Sequence, residues 1–270
     1  MQKEFFTELE KILYENDLKK KFSKFYDFYE NFKANKFTFN HENFSIFKGF
    51  ESEIDTKLVH PTRIRRPKFA NSTKALAKII HSVAHIEFNA INLALDASYR
   101  FKNLPLKFYE DWLEVADEEI KHFNLLNEAL VELGYKYGDF KAHYNLENAL
   151  YATKDSLNLR MGVVHRGLEA KGLDANPFVV EKLNSTNHPI KTLLKEHLKL
   201  ILSDEIKHVK KGDTWWKFSK QNDENFIKLC SDFKKFCLAG KVLNKEARLK
   251  AGFSELECKE LEEFYNGNLT

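Results

Sequence analysis

Apolar residues recur along most of this chain at alternating spacings of three and four, the interval that lines one face of an α-helix. Clear stripes run through Val83, Ala84, Ala90, Ile91 and Ala94, through Trp112, Val115 and Leu126, and through Leu198, Ile201, Leu202 and Val209. Breakers are scarce, with 10 glycines and 5 prolines in 270 residues, whereas a sheet protein would need many turns. The pattern predicts an all-α protein.

Residues 1 to about 36 read as one or two helices, and residues 37 to 70 as irregular chain ending in the extended HPTRIRRPK. A long helix begins near the N-caps Asn71, Ser72 and Thr73 and runs to about Tyr99; after a turn at Asn103-Leu104-Pro105, a second runs from Leu106 to Leu133, with Gly134 just past its end. The loop 134–144 has 11 residues. Fully extended it spans about 36 Å, roughly the length of a 24-residue helix, which is enough to cross a bundle from end to end. A third helix starts near Asn145 and is expected to break at GLDANP, with Gly172 a C-terminal cap, Asn176 an N-cap and Pro177 the first residue of a second piece ending near Leu183. The fourth runs from about Pro189 to Ser219, and a capping box, Ser254 to Glu257, opens the last of several short helices. The chain thus divides into an N-terminal extension (1–71), a four-helix bundle (72–220) and C-terminal helices packed on it (221–270).

Several acidic residues fall on the apolar stripes. Glu119 shares a face with Trp112, Val115, His122 and Leu126; Glu205 lies with Leu198, Ile201, Leu202, His208 and Val209; Glu87 lies among Val83, Ala84, Ala90, Ile91 and Ala94. Glu169 is less clean, since its turn neighbours are His165, Arg166, Gly172 and Leu173. An ionised glutamate on a core face needs a partner charge, a proton or a metal. In order, the chain offers Glu87, Glu119-x-x-His122, Glu169 and Glu205-x-x-His208, and the tetrapeptide EIKH returns 86 residues after its first appearance. One glutamate and one Glu-x-x-His per half is the ligand set of dinuclear carboxylate bundles.

The residue types suit that chemistry. Anionic carboxylates between two divalent ions offset the repulsion of the ions, and carboxylate with imidazole suits iron and manganese. The three-residue spacing places both donors on one helix face. With 10 histidines and 27 glutamates in 270 residues, about one Glu-x-x-His is expected by chance, but two occur, each after a helix with its own candidate glutamate. Glu87 precedes Glu119 by 32 residues and Glu169 precedes Glu205 by 36, which suggests two similar hairpins. Glu118 and Asp204, one turn before His122 and His208, are candidates to orient the imidazoles across the bundle.

Residues 72–220 resemble the ferritin-like superfamily. AHIEFNAINLALD, FYEDWLEVADEEIKHF, LEAKGLDANP and DEIKHV are similar to its bacterial branch, domain-of-unknown-function family 455, and NKEARLKAGFSELE extends the likeness to about residue 260. The resemblance implies a ferritin-like four-helix bundle with a long crossover between its second and third helices. It implies Glu119 and Glu205 as bridging carboxylates, Glu87 and Glu169 as terminal ones, and His122 and His208 each on one metal. The break at GLDANP departs from an uninterrupted ferritin helix; it would loosen Glu169 or shape a substrate opening.

His165, one turn before Glu169, is a candidate seventh ligand or acid/base, and Arg166 a candidate to neutralise a carboxylate or receive an anionic substrate. For His81 and His85, polar packing is the expected role, and for Tyr109, Tyr144 and Tyr151 aromatic core packing. Trp215 and Trp216 are expected to dock the C-terminal helices. RIRRPK (63–68) could contact RNA phosphates, as in the tRNA hydroxylases of the superfamily, but a solvated basic loop is expected. Cys230, Cys237 and Cys258 form no CxxC pair, which argues against a rubredoxin-like iron site and for buried thiols.

A net charge of +3 gives no general case for nucleic acid, and with no apolar span and no signal segment the expected location is the cytoplasm, without a membrane. The leading expectation is an oxidoreductase whose two iron ions (or manganese, or a mixed pair) activate oxygen or peroxide on a small-molecule substrate, in a monomer or dimer. The alternatives are ferritin-like iron oxidation and storage, disfavoured by the long terminal extensions, and a metal-free structural bundle.

Overall fold

A computed structural model describes residues 3–40, 56–220 and 225–267. Helices α1 (Phe5–Leu13) and α2 (Leu18–Lys33) precede the long pair α3 (Thr73–Arg100) and α4 (Leu106–Glu132). Short helices α5 (Asn145–Ala152) and α6 (Leu157–Leu159) lead into a π-helical run, Arg160–Leu168, which continues as α7 (Glu169–Leu183). Then come α8 (Lys191–Ser219), α9 (Phe226–Asp232), α10 (Lys245–Lys250) and α11 (Glu255–Asn266). The fold is an all-α bundle, as the spacing of apolar residues predicts. Its strands among the described residues are two-residue pieces: β1 (Lys3–Glu4) pairs parallel with β2 (Phe37–Thr38), and β3 (Leu58–Val59) with β4 (Ala142–His143). Of the stretch expected to be irregular, residues 41–55 lie outside the described residues.

Local rules account for the helix ends. Ser72 Oγ caps α3 by accepting from Ala75 N at 3.2 Å, and the capping box of Ser254 and Glu257 opens α11. The buried faces of α3, α4, the π run with α7, and α8 meet in one core that includes Leu93, Trp112, Leu126, Val164, Leu173 and Leu198. Helix α1 joins it through Phe5, whose ring lies 5.3 Å from that of Tyr109.

The loop 134–144 lies along α3. Gly138 N donates to His81 Nε2 at 3.0 Å, and the His85 imidazole lies 2.8 Å from both Tyr137 Oη and the His143 carbonyl oxygen. Both histidines therefore hold the loop. The crossing is completed further along α3, where Arg160 at the start of the π run pairs with Asp96, both fully buried.

The third helix differs from the expectation in two ways. It is interrupted between Ala152 and Leu157, where Ser156 Oγ accepts from Leu159 N at 3.2 Å and restarts the helix. It is not interrupted at GLDANP: α7 runs through Gly172, Asn176 and Pro177 to Leu183. Proline inside a helix leaves the carbonyl four residues back without its usual donor. Here that carbonyl belongs to Leu173, and Asn244 Nδ2 donates to it at 3.3 Å. The next residue, Asp174, accepts from Arg248 Nε, Gly240 N and Asn244 N at 2.8–2.9 Å, so the segment after α9 clamps the helix in place.

A candidate metal centre between four helices

Each long element contributes a carboxylate to the bundle interior: Glu87 from α3, Glu119 from α4, Glu169 from the first turn of α7 and Glu205 from α8. One ligating atom each of Glu87, Glu119, His122 and Glu205 lies within 4.8 Å of all the others, a cluster that could hold a metal ion. His208 joins its far side, with Nδ1 3.1 Å from Glu119 Oε1 and 3.6 Å from Glu205 Oε1. On the near side His122 Nδ1 lies 3.4 Å from Glu87 Oε2 and 3.5 Å from Glu119 Oε2. The two oxygens of Glu119 thus face different histidines. The histidine rings are 6.0 Å apart, centre to centre.

The outer nitrogens of the two imidazoles are held crosswise. His122 Nε2 lies 3.2 Å from Asp204 Oδ2, and His208 Nε2 lies 2.7 Å from Glu118 Oε2. Each acidic neighbour of one motif therefore orients the histidine of the other and leaves both Nδ1 atoms pointing inward. Glu169 sits apart from the tightest group, with Oε1 2.8 Å from His165 Nδ1. Its carboxyl is pushed well above the usual range by burial and then by the charge of Glu205.

Charge is poorly accommodated among these groups without a cation. Burial first, and then Glu119, push Glu87 up to about 7. Burial pulls His122 down, but the nearby carboxylates of Glu119 and Glu87 outweigh it and hold the imidazole at about 11. His208 is likewise held well above its ordinary value, against burial, by Glu118, Glu119 and Glu205. Protons offset the buried negative charge here, and any cation that bound would have to displace them. Several of the ligating atoms have no hydrogen-bond partner: Glu87 Oε2, both oxygens of Glu119, Glu169 Oε2, and Nδ1 of His122 and of His208.

His165 is fully buried, with its ring centre 3.9 Å from that of Trp112 and its Nε2 without a hydrogen-bond partner. Arg166, the next residue, points elsewhere. Its Nε donates to Asp213 Oδ1 and its Nη2 to Glu257 Oε1, both at 2.7 Å, and its guanidinium lies 4.0–4.7 Å from the ring centres of Trp216, Phe226 and Phe253. None of these contacts reaches the carboxylates; they dock α9 and α11 onto the π run. Trp216 shares in that docking through Phe226, whereas Trp215 packs on α4 through Phe108 and donates Nε1–H to Asp111 at 2.9 Å.

The π run explains how Glu169 reaches the interior. Hydrogen bonds to the fifth residue back put more residues in each turn and rotate α7 relative to the continuation of an ordinary helix. The run also comes unusually close to α8: a Cβ on Gly212 would stand 2.6 Å from the carbonyl carbon and oxygen of His165. Glycine is the residue that permits this contact.

A cavity of about 400 Å³ opens beside the carboxylates, lined by Glu87, Glu169 and Glu205 and by aliphatic side chains including Ala90, Val164 and Ile201. Its remaining polar walls, among them Arg66, His143 and Lys171, carry no periodic signal in the sequence. Arg66 lies in the basic run RIRRPK, whose charge is legible in the sequence but whose direction is not. No helix among the described residues is long and apolar enough to cross a membrane.

Comparison with known proteins gives two matches. An uncharacterized protein of Haemophilus influenzae is 41% identical over 212 residues, which cover 74% of this chain and 72% of that protein. No solved structure matches the chain. The family model described as "Protein of unknown function (DUF455)" matches residues 14–259, and the chain belongs to that family.

Proposed function

We propose that this is a ferritin-like carboxylate protein that holds two iron or manganese ions and works as an oxidoreductase, activating oxygen or peroxide on a substrate in the adjoining cavity. The observation that carries the reading is the cluster of ligating atoms on Glu87, Glu119, His122 and Glu205, all within 4.8 Å of one another, to which His208 adds a second imidazole. Burying carboxylates this close together is costly unless positive charge, from protons or a bound cation, offsets them. A folded protein keeps them where a ligand satisfies them.

Glu87 and His122, with Glu119 Oε2, would hold one ion; Glu169 and His208, with Glu119 Oε1, would hold the other. Glu205 approaches both histidines and would bridge with Glu119. When bound, two redox-active ions supply the two electrons that reduction of an O–O bond takes. The chain does the rest. Asp204 and Glu118 fix the imidazoles, and the aliphatic walls restrict water. Glu205, whose side chain is 13% exposed against 0% for Glu119, marks the side from which a substrate enters.

Elemental analysis tests the proposal, on untagged protein purified without chelators beside a Glu119→Ala/Glu205→Ala variant. About two ions per chain are expected in the parent protein and none in the variant. No uptake by either, even after anaerobic loading with iron and manganese, would sink it.

A further inference from the structure

The cavity beside the carboxylates does not end in neutral surface. A second, wider cleft of about 720 Å³ adjoins it, and both are lined by Arg66, Val83, Ile86, Ala175 and Val179, which marks where they meet. The glutamates line the inner cavity alone. Basic side chains line the outer cleft: Arg63 and Arg65 beside Arg66, Lys74 and Lys78 on α3, and Lys182 on α7. Asp139 is the one acid lining it among the described residues, and its Oδ2 already accepts from Lys136 N at 2.9 Å. None of the six cations named has an acidic partner among the described residues.

The inner walls have a different chemistry. Apart from the glutamates they are mostly aliphatic, and the amide of Asn176 is occupied by the carbonyl of Leu198 at 3.0 Å. Donors such as Arg66, His143, Asn145 and Lys171 are outnumbered by aliphatic walls, against which a hydrocarbon chain leaves nothing of its own unpaired. Arg66 and Lys171 line the inner cavity together with His143, whose imidazole is pushed down to about 4 by burial, then by His85, Arg66 and Lys171. The inner volume falls within the roughly 300–1,000 Å³ of small-ligand sites.

We propose that the two chambers together bind a monomeric amphiphile with a phosphate-bearing head, its apolar end in the inner cavity against the carboxylates and its phosphate among Arg63, Arg65, Arg66, Lys74, Lys78 and Lys182. This deepens the metal-centre reading, since the apolar end would lie beside the carboxylates that hold the ions. The binding itself does not depend on metal.

The test is calorimetric titration of the full chain, metal-free and metal-loaded, with butyl, hexyl and octyl phosphate, octanol and inorganic phosphate. Octyl phosphate should bind more tightly than octanol or inorganic phosphate, and each added methylene should raise affinity about fourfold or less until the cavity is full. Added salt should weaken octyl phosphate binding and spare octanol. Arg66→Glu/Lys182→Glu, at exposed and half-buried positions, should cost about tenfold or more for every phosphate while leaving metal content unchanged. Capture of phosphatidate vesicles together with octyl phosphate would assign the head to a lipid and support the proposal; capture of vesicles without octyl phosphate would overturn it. Inorganic phosphate binding as tightly as octyl phosphate, octanol binding as tightly, or a single-stranded oligonucleotide outcompeting every alkyl phosphate would also overturn it. Alkyl phosphate binding to a chain that takes up no metal would leave this proposal standing and remove the other.

Discussion

The two halves of the cluster carry the same tetrapeptide and are built differently. In the α3–α4 half, Glu87 and Glu119-x-x-His122 sit on ordinary α-helices, and the residue one turn after the histidine is Leu126, fully buried. In the other half, Glu169 follows a π run, a buried His165 touches it, and the residue one turn after His208 is Gly212, against which the π backbone packs. The repeated motif therefore specifies a carboxylate–imidazole pair on one helix and nothing about the helix opposite. What differs is how the lone glutamate is delivered: by a regular stripe in one half, by altered helical winding in the other.

The largest effect should come from the residue the halves share. Glu119→Ala removes the oxygens facing both Nδ1 atoms, so if the centre holds two ions as proposed, both should be lost together rather than one. Loss of a single ion, read by elemental analysis, would show the halves to be independent. Next in size are the paired substitutions one turn beyond the histidines. Leu126→Ala opens a cavity and should cost about 2–5 kcal/mol in chemical denaturation. Gly212→Ala adds one methyl against the His165 backbone and should cost about 1–3 kcal/mol. On helix propensity alone that second change would stabilise by up to about 1 kcal/mol. A stabilised Gly212→Ala protein would thus mean that the close approach is absent.

The comparison also separates what is legible in the sequence from what is not. Both Glu-x-x-His pairs are legible because their donors lie on one turn of one helix, and α3, α4 and α8 because their stripes keep a steady period. The restart at Ser156 has the residue type of an N-cap but is hidden within a stripe that reads as continuous. The π run has no side-chain signature, since its hydrogen bonds are all main-chain. Pro177 reads by local rules as the first residue of a new helical piece, and Asn244, far along the chain, satisfies the carbonyl that lets the helix run through it. Arg166 reads as a site residue through its nearness in sequence to Glu169, yet its face belongs to Asp213 and Glu257. Buried pairs such as Arg160 with Asp96 leave no local signal because their partners lie 64 residues apart.

Crosswise orientation gives a sharper and smaller test. Asp204 precedes Glu205 in the chain but touches His122, so Asp204→Asn should weaken the ion of the α3–α4 half by about 10–100-fold, and Glu118→Gln the other ion by a similar factor. Stepwise metal titration reads this when each change is combined with Glu87→Gln. In that background Asp204→Asn should add little, because its half-site is already impaired, while Glu118→Gln should keep its full effect. The reverse assignment would mean that each acid serves the histidine of its own helix.

The smallest expected effect is at His165, and it bears most directly on why the halves differ. Its Nδ1 lies 2.8 Å from Glu169 Oε1, and its ring packs against Trp112 at a tilt of 41°. His165→Phe keeps a ring beside Trp112 and deletes the contact with the carboxylate. If His165 positions Glu169, this change should weaken the second ion by about tenfold, spare the first, and leave thermal stability near that of the parent. If both binding steps weaken together with a drop in Tm, the histidine is a packing residue. If neither step changes, the π run alone delivers Glu169, and the altered winding is sufficient without a helper. The π run and the histidine can then be told apart, because Gly212→Ala disturbs the first without removing the second.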